Sequence, residues 1–206
     1  MTPYKREREI FKNFKQKLEN DDTLRQEVEE ALGILLSEYD TTVHENRFVV
    51  GGVCEHILGA AMRAAGIEAK NVGVHNPRID LQIPSAEGFS VKGSFTGKRD
   101  AIRLINSLGE STTRSWSEST LFILSNVGVA YADPKLLRGA TTSTGDALVL
   151  KRAPLDDFLR ENPQYLIHCH VPAKSADIEK TKVASEAIAK EILGRIQFRI
   201  LKKFVD

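Results

Sequence analysis

The sequence predicts an α/β (α+β) protein, a mixed β-sheet flanked by helices with a helical segment at its N-terminus. Three observations carry this. Apolar residues recur at helical spacing through residues 4–39. Residues 78–94 then alternate apolar and polar side chains with a period of two. Beyond them, short apolar runs are separated by turns and further helical stretches, an order that belongs to helices packed on a mixed sheet.

Taken in order, Ile10, Phe11, Phe14 and Leu18 mark a first helix. Asp21-Asp22-Thr23 can cap a second, whose apolar positions include Leu24, Val28, Leu32, Leu35 and Leu36. A third helix is expected over residues 50–65, stopped by Gly66. A hairpin follows. Ile79, Leu81 and Ile83 alternate with Asp80 and Gln82, a turn takes residues 84–88, and Phe89 and Val91 alternate with Ser90 and Lys92. Residues 99–108 read as a helix stopped by Gly109, and residues 110–119, rich in Ser and Thr, as a loop. Buried strands are expected at 120–125 and 127–132, joined by a tight turn, and a polar Gly- and Thr-rich loop at 135–145. Residues 147–151 make a strand, 155–161 a short helix and 165–171 a strand. A long C-terminal helix is expected from Asp177 to about Lys203, with Val183, Ile188, Ile192, Ile196 and Ile200 on a broad apolar face suited to core packing or a dimer seam.

Lys and Arg together number 29 against 28 Asp and Glu, so no overall basic charge announces a polyanion. A nucleic-acid partner then requires basic residues clustered in space. Hydrophobic residues make up 41% of the chain, enough for a sizeable core. Cys54 and Cys169 form neither a disulfide framework nor a metal-ligand spacing, which points to a reduced, cytoplasmic setting. No apolar run approaches the roughly 18 residues that span a bilayer, so no membrane association is expected. The charged N-terminal segment lacks the apolar core of a signal peptide.

The hairpin carries the first candidate chemistry. If its turn centres near Ala86, Asp80 faces Lys92 and Gln82 faces Ser90, with opposed side chains about 5 Å apart. An acid and a lysine on the polar face of a buried hairpin are costly for folding alone, which suggests that the face serves chemistry. A carboxylate supplies oxygen ligands to Mg²⁺, and a nearby lysine orients water or stabilises charge on a phosphate. Together they suit metal-assisted phosphodiester hydrolysis; a plain cross-strand salt bridge is the competing reading. Glu55 lies on the third helix among Val53, Ile57, Leu58, Ala61 and Ala65. A carboxylate there needs a partner, either a metal or a cation such as Arg63. His168 and His170 share one face of an expected strand, but two imidazoles without a third ligand are a weak metal site. Neither a nucleophile elbow nor a Walker-type phosphate loop occurs.

Glu55 on a helix of small residues, then Asp80, then Ser90-Val91-Lys92 on an apolar strand resembles the PD-(D/E)xK nuclease superfamily and, more narrowly, type II restriction endonucleases. The stretches Phe89-Ser-Val-Lys-Gly-Ser-Phe-Thr-Gly97 and Leu121-Phe-Ile-Leu-Ser-Asn-Val-Gly-Val-Ala-Tyr-Ala-Asp-Pro134 extend the resemblance over residues 45–134. It implies a restriction-endonuclease-like fold and Mg²⁺-dependent cleavage of double-stranded DNA at a short recognition site. A single nuclease domain, 1–206, then comprises a helical extension (1–40), a catalytic core (45–134) and a C-terminal part (135–206) of loop, strands and long helix. Two departures are plain: Ile79 and Arg78 precede Asp80 where the family name has proline, with Pro77 earlier, and Ser90 stands where an acid is expected two residues before the lysine. The resemblance therefore implies that Asp80 and Glu55 hold Mg²⁺, and a site with only these two carboxylates favours one tightly held ion over two. Lys92 polarises the water and the scissile phosphate, and Gln82 and Ser90 contribute neutral oxygens. Glu87, Asp100 and Glu110 are weaker sources of the missing carboxylate.

DNA contacts are expected from Lys98 and Arg99 at the start of the 99–108 helix and from Arg103 and Asn106 on one of its faces. Arg114, Lys135 and Arg138 join them from loops attached to strands. A homodimer matching a palindromic site follows from two-fold symmetry. The rival readings are a structure-selective repair or junction nuclease of the same fold, a non-catalytic DNA-binding protein with a decayed site, and an unrelated α/β protein.

Overall fold

Three helices lead the chain: α1 (Lys5–Asn20), α2 (Asp22–Glu38) and α3 (His44–Ala64). The Asp21 carboxylate caps α2 by accepting from the Leu24 amide at 2.9 Å. Helix α3 begins at His44 rather than at residue 50, and the chain leaves it at Gly66, as expected. The computed structural model describes residues 4–41, 44–72, 78–95, 101–105, 115–144, 147–173 and 184–205.

The strands form three sheets. Strands β1 (Lys70–Asn71) and β2 (Leu81–Gln82) make a short antiparallel ribbon. A four-stranded sheet runs β3 (Ser90–Ser94), β5 (Thr120–Leu124), β6 (Gly128–Ala132) and β9 (Leu166–Ile167). In it β3 and β5 are parallel, with Ser90 beside Thr120 and Lys92 beside Phe122, while β5–β6 and β6–β9 are antiparallel. Every residue of β5 and β6 is buried. Strands covered on both faces read as continuous apolar runs, which is why both were legible. A third sheet runs β4 (Ala101–Ile105), β8 (Ala147–Lys151) and β7 (Thr141–Thr144). Helix α4 (Arg152–Glu161) continues from β8, and α5 (Ser185–Arg195) packs against α3. Phe11, Leu32, Ile57, Phe89, Phe122, Tyr131 and Leu193 belong to one apolar cluster fed by helices and sheets alike. The chain is thus an α+β protein. Among the described residues no helix is long and apolar enough to cross a membrane.

Four expectations need correction. Residues 101–105 are a strand, not a helix: Ile102 and Leu104 are buried while Arg103 between them is exposed, and the stretch pairs with β8. Residues 141–144 are an edge strand, not loop, held by β8 on one side. Tyr165 lies in a 3₁₀ turn, and the expected 165–171 strand is confined to Leu166–Ile167, so His168 and His170 are not on a strand. The C-terminal helix ends at Arg195 and is followed by a 3₁₀ turn at Leu201–Phe204. Buried Glu27 of α2 accepts from the Ile200 and Leu201 amides at 2.6 and 2.7 Å, and Glu30 accepts from the Gln197 amide at 2.9 Å. Those distant carboxylates take the amides that a continuous helix would have bonded internally. The expected start of that helix, Asp177, lies outside the described residues.

Candidate functional site

The site grows from the turn between β2 and β3. Leu81 and Phe89 form a single antiparallel bridge, and the amides of Asp80 and Leu81 both donate to the Phe89 carbonyl at 2.9 Å. Gly88 closes the turn at φ +114, and a Cβ there would lie 2.3 Å from the Leu81 carbonyl oxygen. The bridge pairs Leu81 with Phe89, so the turn is centred one residue before Ala86, and Asp80 does not stand squarely across from Lys92. Beyond the bridge the strands part: Gln82 pairs with Lys70 on β1, while β3 pairs with β5.

That divergence sets Asp80 to work. The Ser90 amide donates to the Ser119 carbonyl on the β5 side at 2.9 Å. Successive strand amides point to opposite edges, so the Val91 amide faces away from β5. The Asp80 carboxylate fills the place of a strand partner there. Its Oδ2 accepts from the Val91 amide at 2.6 Å and from Ser90 Oγ at 3.0 Å, and Lys92 Nζ lies 3.5 Å from the same oxygen. The acid–lysine pair expected from the sequence therefore forms, through side-chain reach rather than strand register.

Glu55 arrives from α3. One turn further along, Gly59 faces the β1–β2 ribbon so closely that a Cβ would sit 2.5 Å from Asn71 Oδ1 and 3.2 Å from Leu81 Cδ2. Residues i and i+4 share a helix face, so the close approach at Gly59 brings the Glu55 side of α3 toward Asp80. Burial pushes the Glu55 carboxyl up to about 7, the negative charge of Asp80 adds to the rise, and the positive charge of Lys92 opposes it. Among the described residues no hydrogen bond or ion pair satisfies this carboxylate. Arg63, its expected alternative partner, instead donates to the carbonyls of Phe204 at 2.6 Å and Ala69 at 2.7 Å.

Two carboxylates and one lysine, the charged groups that influence one another here among the described residues, leave a net negative charge that a divalent ion would relieve. Oxygen donors from Asp and Glu fit Mg²⁺. Among the described residues no group of three or more His, Cys, Asp or Glu converges as a metal cage, so bound water or a phosphate oxygen would have to complete the coordination of any ion held by Asp80 and Glu55. Gln82 is exposed and makes no side-chain hydrogen bond among the described residues. Glu87 is exposed on the turn, where its amide donates to Glu7 of α1 at 2.9 Å.

Sequence reasoning missed the network that braces this site. Asp133, fully buried at the end of β6, accepts two hydrogen bonds from Arg8 of α1 at 2.7 and 2.9 Å and one from the Tyr131 hydroxyl at 2.9 Å. It also accepts from the Lys135 and Leu136 amides at 2.9 and 3.1 Å. Tyr131 Oη meets Ser119 Oγ at 3.0 Å, and Ser119 is the residue whose carbonyl receives the Ser90 amide. A polar chain thus runs from α1 to the strand beneath Asp80. The signal was present as Tyr131-x-Asp133 before a proline turn, two polar residues of equal parity at the end of an apolar strand.

Of the expected DNA contacts, Arg103 is exposed on β4, and Lys135 and Arg138 are exposed in the turn after β6. Arg103 lies on a strand rather than on the expected helix face. Lys98, Arg99, Asn106 and Arg114 lie outside the described residues, as do Asp100 and Glu110. A recess lined by Arg152, Asp156, Arg160 and His168 contains none of the site residues, and both of its arginines are paired, with Asp156 and Asp157. A scan against protein-family models finds no match, and neither does a search of curated proteins.

Proposed function

We propose that the protein is a Mg²⁺-dependent endodeoxyribonuclease of restriction-endonuclease-like fold, acting as a homodimer on a short recognition site in double-stranded DNA. The observation that carries the reading is the meeting of Asp80 and Lys92 at the edge of β3 away from β5, beside the Glu55 carboxylate, which has no protein partner among the described residues and feels the charge of both. Asp80 and Glu55 would hold Mg²⁺, which when bound stabilises negative charge on the reacting phosphate. Lys92, held beside Asp80 and partly exposed, orients the attacking water and supports the charge that develops on the phosphoryl oxygens. In-line attack leaves a 5′-phosphate. The parallel β3–β5 pair keeps the lysine-bearing strand rigid, so its ammonium is presented from a fixed backbone. Exposed Arg103, Lys135 and Arg138 are offered as phosphate or base contacts.

Digestion of phage DNA with and without Mg²⁺ tests this. Discrete bands that require Mg²⁺ are expected. Cutting confined to branched substrates would move the assignment to a structure-selective nuclease. Salt-dependent binding without any cleavage would make the protein a non-catalytic DNA binder.

A further inference from the structure

Ser90 occupies the position at which the resemblance places an acid, and its geometry gives it a different task. The residue is 6% exposed, so its hydroxyl needs a partner within the protein. That partner is Oδ2 of Asp80, 3.0 Å away. The Val91 amide donates to the same oxygen at 2.6 Å, and Lys92 Nζ lies 3.5 Å from it. All three contacts fall on Oδ2. Among the described residues none falls on Oδ1.

We propose that Ser90 is a positioning residue: with the Val91 amide it pins Oδ2 of Asp80, so that Oδ1 is the single oxygen this carboxylate presents to a divalent cation. The inference rests on the nuclease reading and deepens it. A hydroxyl has one proton to donate, and Ser90 donates it to Asp80, so the side chain acts through the carboxylate. An acid at this position would instead set a second negative charge about 3 Å from Oδ2, where like charges disfavour one another. Serine exchanges that repulsion for an orienting bond. Partners that orient a metal ligand without touching the metal are worth about 10- to 100-fold in affinity.

The test is a titration of the full-length protein with Mn²⁺, without DNA, read by electron paramagnetic resonance of the free ion. The wild type is expected to bind one Mn²⁺ per chain. Ser90→Ala should weaken that binding by about 10-fold or more, and Ser90→Thr, which keeps the hydroxyl, should restore it. Circular dichroism melts check folding. Ser90→Cys, near in volume but a weak donor, serves in place of the alanine variant if that one unfolds. Wild-type affinity in both Ser90→Ala and Ser90→Cys would overturn the positioning role while leaving the nuclease reading intact. A wild-type protein that binds no Mn²⁺ and cuts no DNA would overturn both.

Discussion

Glu55 is the residue whose chemistry is most exposed to test. Its carboxyl is raised to about 7 by burial, with the charge of Asp80 adding to the rise. A carboxyl whose folded value lies above its unfolded one of 4.5 contributes stability that is complete below pH 4.5 and is lost as pH climbs through about 7. The metal-free protein should therefore melt at progressively lower temperature across that window. Glu55→Gln should flatten the dependence and, near pH 8, exceed the wild type by about 1 kcal/mol once solvent screening at this half-buried position is allowed for. Mg²⁺ should raise the melting temperature of the wild type at that pH and leave the glutamine variant unchanged. A wild-type melting profile that is flat with pH would show that Glu55 is not strained in this way. That Glu55 would sit partly buried could be anticipated, because its helix neighbours are small and apolar. Its coupling to Asp80 could not, because the close approach at Gly59 arises from packing between segments.

At the scale of elements, the turn that sets Asp80 depends on one glycine. Gly88 has a positive φ, and an added Cβ would meet the Leu81 carbonyl oxygen at 2.3 Å. Gly88→Ala should cost about 2 to 4 kcal/mol, combining a strained backbone with a steric clash. It should also lower the proposed Mg²⁺-dependent cleavage, measured below the melting temperature, since the bridge at Leu81 and Phe89 aims Asp80. Unchanged stability in urea unfolding would contradict the account. The elements themselves divide by how local their signals are. Helices α1 and α2 and the buried pair β5–β6 were readable from periodicity and capping. Strand β4 was not: Arg103, Asn106 and Gly109 imitate a helix and its stop, while the partner that makes the segment a strand, Ala147–Lys151, lies more than forty residues away. Strand β7 is likewise fixed by β8, and its Thr-rich composition reads equally as loop or strand.

Across the whole molecule, α1 is tied to the site by the chain from partly exposed Arg8 to buried Asp133, Tyr131 and Ser119. Asp133→Ala would leave Arg8, the Tyr131 hydroxyl and two amides without their acceptor. Because Arg8 reaches solvent, the loss should fall below that of a fully buried ion pair, at about 2 to 3 kcal/mol in urea unfolding. A loss below about 1 kcal/mol would mean that α1 docks without this network. The exposed cations Arg103, Lys135 and Arg138 show why the proposed DNA contacts were the least legible part: base contact depends on which loops converge, and charge counts carry no such information.

The central claim is that Asp80, Glu55 and Lys92 act together on a phosphodiester. Plasmid cleavage by the wild type and by Asp80→Ala, each with Mg²⁺ and each with chelator, tests it most directly. The account predicts cutting by the wild type in Mg²⁺ alone, and none by the variant, which should still bind the same DNA. Cleavage by Asp80→Ala at the wild-type rate would contradict it.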